Sequence, residues 1–133
     1  MRTSALAPMA AAIIAAVEAD ATLVALIPGG IHQGDAPTGA VGSYLTINTP
    51  SESASNSFGR AGTENGEQIH IWASGQHAVR LIAMELLRVL GQGTVTVDGF
   101  MLASRQVNLV TILRDPDGKW HGVVRLLARL HES

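Results

Sequence analysis

From Trp120 onward the chain alternates. Trp120, Val124, Leu126, Ala128 and Leu130 fall on one face and His121, Arg125, Arg129 and His131 on the other, with Val123 and Leu127 breaking the rhythm. A period of two with one apolar face predicts a half-buried antiparallel strand. A second apolar run, residues 108–113, precedes it, and Asp115-Pro116-Asp117-Gly118 separates the two. Proline presets φ, aspartate caps the turn and glycine supplies a positive φ, so the stretch predicts a closing β-hairpin.

A different rhythm runs through Val79, Ile82, Ala83, Leu86 and Leu90, the three-four spacing of a helix with one buried stripe. Ser74 is placed to cap its start, and Gly91 and Gly93 to end it in the left-handed conformation. Just before it, residues 68–73 put Ile69, Ile71 and Ala73 on one side of a strand and His70 and Trp72 on the other. Residues 44–48 form another strand, Leu45 and Ile47 against Tyr44 and Thr46, and Ile31-His32-Gln33 a shorter one. The intervening residues 34–42 make a turn-rich connector. Asp98-Gly99 between residues 94–97 and 100–102 predicts a two-residue hairpin, its second strand running irregularly on to Leu113.

The N-terminal pattern is apolar almost throughout. Arg2, a run from Leu6 to Val17 and Ala19-Asp20-Ala21 imitate a secretory leader, but Glu18 and Asp20 sit awkwardly beside a cleavage site and Pro8 suits a first helical turn. The better reading is an Ala-rich helix to about Glu18, too short to span a bilayer. Asp20 then N-caps a short helix stopped by Pro28-Gly29-Gly30. Its thin side wall suits packing against the sheet or a neighbouring subunit. Residues 49–66, rich in Ser, Asn, Gly and Glu with Phe58 and Arg60 the bulky members, read as a long loop. The order of elements predicts one α+β domain over residues 1–133, an antiparallel sheet with two or three helices packed mainly on one face.

Composition narrows the function classes. The chain has 133 residues, no cysteine and a formal net charge of −2. Disulfides, thiolate metal sites and a cysteine nucleophile are excluded, and no basic footprint for gripping a duplex exists. Residues 1–67 hold two basic and six acidic side chains, residues 68–133 seven and five. That asymmetry favours unlike faces of neighbouring copies meeting.

No nucleophile elbow, His-Glu-x-x-His pair, dinucleotide fingerprint or phosphate loop is present. His70 and His77 flank a strand-helix junction, and with Glu67 or Asp35 they offer a metal-dependent hydrolase as an alternative. Surface or interface histidines are the simpler account. Asp115 and Asp117 are already explained by their turn. Trp72 and Trp120 are anchors of a core or of an interface. No catalytic residue, metal or cofactor is therefore expected.

The wording of the closing hairpin, Arg114-Asp115-Pro116-Asp117-Gly118 followed by His121-Gly122-Val123-Val124-Arg125, resembles the bacteriophage tail completion family, the tail terminator or head-tail joining proteins also found in gene transfer agents. The likeness extends over nearly the whole chain: the N-terminal helix, the stretch from Asp20 to Gly30, a proline in the connector, the polar loop, and Ile69 to Ser74 leading into the amphipathic helix. It implies a structural virion protein, assembled in the host bacterial cytoplasm, that forms a hexameric ring at the head-proximal end of a long non-contractile tail. Such a ring ends tube polymerisation and meets the major tail tube protein on one side and the head connector or stopper protein on the other. Double-stranded DNA passes through the lumen without specific binding, and no membrane is involved. Another head-tail joint, a stopper or adaptor, is the nearest alternative. The partner-binding residues expected are Glu52, Phe58, Arg60 and Glu64 of the loop, where Glu52, Glu64 and Glu67 disfavour DNA sticking. On the last strand they are Arg125 and Arg129, as inter-subunit salt-bridge donors.

Overall fold

A computed structural model describes residues 4–36, 39, 41–54 and 62–133. Their elements are helices α1 (Leu6–Glu18) and α2 (Ala21–Leu26), strands β1 (Ile31–Gln33), β2 (Tyr44–Ala54) and β3 (Gly62–Ala73), helix α3 (Gln76–Gln92), and strands β4 (Phe100–Arg114) and β5 (Trp120–Glu132). The five strands form one sheet in the order β1-β2-β3-β5-β4. The β2–β3, β3–β5 and β5–β4 pairings are antiparallel, as expected, but β1 runs parallel to β2, so the sheet is mixed.

The helices cover one face. Met9, Ile13 and Val17 of α1, Leu23 of α2 and the stripe Val79, Ile82, Leu86 and Leu90 of α3 join Leu45, Ile47, Ile69, Ile71, Val124, Leu126 and Leu130 in one core. Fully burying each of these larger side chains contributes about 1.5–3 kcal/mol. Gly122 lets α3 come down onto the sheet, since a Cβ there would lie 2.7 Å from Val79 Cγ1.

Local chemistry explains the element ends. Asp20 Oδ2 accepts from the Leu23 N–H at 3.0 Å, the expected N-cap of α2, and the same carboxylate takes both of its oxygens to Arg88 Nη2 on α3. In the closing turn Gly118 (φ 92°) donates its N–H to the Asp115 carbonyl and Asp117 Oδ1 accepts from the Lys119 N–H. The ends of α3 depart from expectation. Gly75, not Ser74, holds the N-cap position and makes no side-chain cap bond. The helix runs past Gly91, and Gly93 leaves it with φ −79° in extended conformation. Gly93 is needed for space instead, because a Cβ there would meet the Val89 carbonyl oxygen at 2.5 Å.

Two further stretches differ. Residues 94–97, expected as a strand, carry no strand, and Asp98-Gly99 is a turn closed by Phe100 N–H to Val97 C=O at 3.1 Å. Val97 is drawn into the core and the pairing partner that a hairpin needs never forms. Conversely, much of the long loop expected at residues 49–66 is strand. Ser51, Glu52, Ser53 and Ala54 pair with Gly66, Asn65, Glu64 and Thr63, so β2 and β3 continue as a hairpin through the polar stretch. Backbone ladder bonds do not depend on side-chain polarity, which is why composition misleads there. Phe58 and Arg60 lie outside the described residues. Glu67, expected beside Glu52 and Glu64 as a solvent-facing acid, turns to the core side and is 2% exposed. Among the described residues, no helix is long and apolar enough to cross a membrane.

Candidate functional site

The opposite face of the sheet carries no helix, and register decides what collects there. β2–β3 pairing sets Tyr44 against Trp72 and Thr46 against His70, and β3–β5 pairing sets Trp72 against His121 and His70 against Val123. Three strands thereby bring four rings together. Trp72 stacks on His121 with centroids 4.0 Å apart and planes 7° off parallel. Tyr44 lies 6.3 Å from Trp72 on one side, and His70 4.9 Å from His121 on the other.

Polar contacts fix the rings in place. Trp72 Nε1–H donates to Thr46 Oγ1 at 3.2 Å, and Lys119 Nζ stands 5.7 Å over the Tyr44 ring. His70 Nε2 lies 3.3 Å from Gln68 Oε1, which can only accept, so His70 Nδ1 takes the acceptor role and His121 Nε2–H donates to it at 2.6 Å. Burial lowers the pKa of His70, and the neighbouring His121 lowers it further. Burial also lowers that of His121, against the opposing pull of Asp115, whose Oδ1 is 3.9 Å from His121 Nδ1. Both imidazoles are therefore neutral at neutral pH. The cluster is a flat aromatic platform with hydrogen-bonding rims. Surfaces of this kind anchor partner side chains through stacking and desolvation.

The residues of the alternative metal-site reading are not brought together. His70 faces His121 across strands, while His77 is exposed on the first turn of α3 and Glu67 sits on the other side of the sheet. No group of three or more His, Cys, Asp or Glu side chains among the described residues is arranged to hold a metal. Asp115 and Asp117 belong to the closing turn.

The expected partner-binding residues fall into two groups. Glu64 and Arg129 are register partners, and Arg129 Nη2 lies 3.8 Å from Glu64 Oε2, both side chains half exposed. Arg125 is exposed two same-face rows nearer the aromatic platform, opposite Gln68, with the Gly66–Leu127 pair between. Glu52 is turned to another task, its Oε2 accepting from the Ala5 N–H at 2.9 Å at the entrance to α1. Tyr44, Trp72, His70 and His121 form the platform that pattern alone missed as a unit. Alternation gives the outward face of each strand, but which rings meet depends on register. At the far edge, β4 exposes Met101, Leu109, Val110 and Leu113.

Residues 11–131 match the family model of the tail completion protein gp17. The chain belongs to that family. No individually curated protein matches it in sequence. Among solved structures, it is similar to a chain of the virion of a native gene transfer agent particle, at 17% identity and a TM-score of 0.79, with 97% of this chain and 99% of that one covered. It is also similar to the gp17 protein of bacteriophage SPP1, at 18% identity and a TM-score of 0.64, covering 97% and 91%. At these identities the likeness is one of fold, and it extends over nine-tenths or more of each chain.

Proposed function

We propose that this tail completion family member is a structural virion protein that forms a hexameric ring at the head-proximal end of a long non-contractile phage or phage-like tail. There it ends polymerisation of the tube and joins the tail to the head connector. The observation that carries the reading is the match of residues 11–131 to the family. The open aromatic face and the apolar edge of β4 supply contact surface of the kind a ring needs. A heterologous contact between one copy and the next closes into a ring where the rotation permits.

The reaction is association, not bond-making. The β2–β3 hairpin is the element proposed to reach the tube or line the bore, with Glu64 repelling DNA from it, and Phe58 and Arg60 remain candidates by sequence. Arg125 and Arg129 are the proposed contacts between subunits. Double-stranded DNA passes through the lumen without specific binding.

Electron microscopy of the purified protein mixed with tail tubes tests this. The expected result is a ring of six capping one end of each tube, with capped tubes joining filled heads. Density confined to the head side of the joint favours a stopper or adaptor instead, and tubes that keep growing in its presence defeat the terminator role. If replacing residues 55–61 with a short turn leaves tails of normal length that still join heads, the hairpin is not the docking element.

A further inference from the structure

The core face of β3 changes character along its length. Ile69 and Ile71 are wholly buried, and the same face continues through Glu67, Asn65 and Thr63, which are 2%, 1% and 0% exposed. Glu67 Oε1, both terminal atoms of the Asn65 amide and Thr63 Oγ1 have no hydrogen-bond partner among the described residues. Polar atoms are rarely buried in this state unless a ligand, partner or water completes them.

The backbone opens space beside this row. Opposite Glu67 the β2–β3 register slips between Asn48 and Ser51, where Thr49 takes a φ of 53° and Pro50 offers no N–H to the ladder. Bulges and left-handed non-glycine residues of this kind collect at sites that bind. The bulge, α1 and the end of β1 line an open cavity of about 380 Å³ with Glu67 in its wall. Its walls include Leu6, Ala7, Ala10, Ile47 and Pro50, while Gln33 and Asn48 contribute neutral amides.

We propose that this cavity receives a basic side chain from a neighbouring copy of the chain, its aliphatic stem along the apolar wall and its cationic head on the Glu67 carboxylate. One carboxylate among neutral amides matches a single positive charge, whereas a divalent ion takes six or more oxygens. An apolar wall suits a cation carried on a methylene stem. The second copy is chosen on charge and topology. The acidic half of the sequence builds the β1–β2–β3 side of the sheet and the basic half the β5–β4 side. Copies meeting edge to opposite edge therefore present basic residues to this cavity. Arg114, exposed on the edge strand β4 and in no ion pair among the described residues, is the first candidate. The choice of occupant rests on the ring reading, but the site itself does not.

Burial raises the Glu67 pKa to about 7. In the free chain the carboxyl is therefore about half neutral at pH 7, and seating a cation ionises that fraction and releases its proton. No other lining residue, from α1, β1 or β2, is titratable, and Glu52 of β2 is engaged with Ala5. Association then strengthens as pH rises toward 7 and levels off above it, by up to about tenfold per pH unit at one proton per contact.

Sedimentation velocity of the full chain and of Glu67→Gln across pH 6 to 8, beside NMR titration of the Glu67 carboxyl with butylguanidinium or potassium chloride, tests the proposal. The expected result is that Glu67→Gln stays folded, weakens self-association at pH 8 at least tenfold and loses the pH slope. Butylguanidinium lowers the Glu67 titration midpoint and competes with association, and potassium does neither. Rings that form equally well from Glu67→Gln with the same slope overturn the inference and leave the ring reading standing. Potassium acting as well as butylguanidinium makes this a small-ion site and overturns it too. A wild-type chain that never self-associates, with or without tubes, defeats the ring reading and removes the second copy as occupant. The butylguanidinium titration then still decides the site.

Discussion

His70 Nδ1 and His121 Nε2 approach to 2.6 Å across strands β3 and β5, a distance at which only one nitrogen can carry the proton. Folding therefore holds both imidazoles neutral, with pKa values below the ordinary 6.5. The unfolded chain binds protons at these positions first as pH falls. The stability this arrangement confers is fully present above about 6.5, is lost as pH drops through the lowered folded values, and changes no further below them. Thermal melts of the chain carrying Glu67→Gln between pH 7.5 and 5 should show the decline, and adding His70→Gln or His121→Gln should flatten it. An unchanged slope in both variants excludes the pair as its source.

Glu67 works in the opposite direction. Its folded pKa of about 7 lies above the ordinary 4.5, so its neutral form is the one the fold prefers. Stability from this group is intact below pH 4.5 and falls as pH rises toward 7, by about 3 kcal/mol at most for a shift of this size. Glu67→Gln keeps the shape without the charge. Urea titrations of the dissociated chain should find the variant more stable than wild type at pH 8 and nearly equal to it at pH 4.5. Because the histidine pair titrates within the same range, its slope is best measured in the Glu67→Gln background.

The histidine pair and Glu67 both depend on contacts that local sequence does not encode. The α3 stripe, the Asp20 cap and the turn from Asp115 to Gly118 were legible because each depends on neighbours within a few positions. His70 meets His121, 51 positions away, through the β3–β5 register, which no pattern within a few positions encodes. By composition Glu67 belongs with Glu52 and Glu64, because a carboxylate in a polar stretch reads as solvated. Alternation does place it on the side of Ile69 and Ile71, but an acid there contradicts the expectation that charge stays out of the core. The Thr94-Val95-Thr96-Val97 alternation failed for the reverse reason, a strand pattern with no strand to pair with.

Gly122 tests the packing of α3. A Cβ at this position would lie 2.7 Å from Val79 Cγ1 and 3.4 Å from Ile71 Cδ1, and neither side chain has free space, both being 0% exposed. Gly122→Ala should cost about 1–3 kcal/mol in denaturant titration, typical of overpacking. Val79→Ala should recover part of that loss in the double variant although it is destabilising alone. Additive losses place the cost elsewhere than in this contact. Gly75→Ala, with open space around its added carbon, should be nearly neutral.

The two tryptophans separate folding from assembly. Trp120 packs against the core, whereas Trp72 lies on the helix-free face, half-buried between Tyr44 and His121. Trp120→Ala should therefore act on the single chain, lowering stability by about 3 kcal/mol or more. Trp72→Ala loses one hydrogen bond, to Thr46, its close stack on His121 and the wider ones with Tyr44 and His70, for about 1–2 kcal/mol. Its larger effect should appear in association, where truncating a tryptophan at the centre of an interface costs about 2 kcal/mol or more, roughly thirtyfold in dissociation constant. Sedimentation velocity at fixed pH and salt, beside thermal melts of the dissociated chain, distinguishes the two. Rings that form from Trp72→Ala at wild-type concentrations exclude the aromatic platform from the contact and leave the β4 edge, with Met101, Leu109, Val110 and Leu113, as the surface to test next.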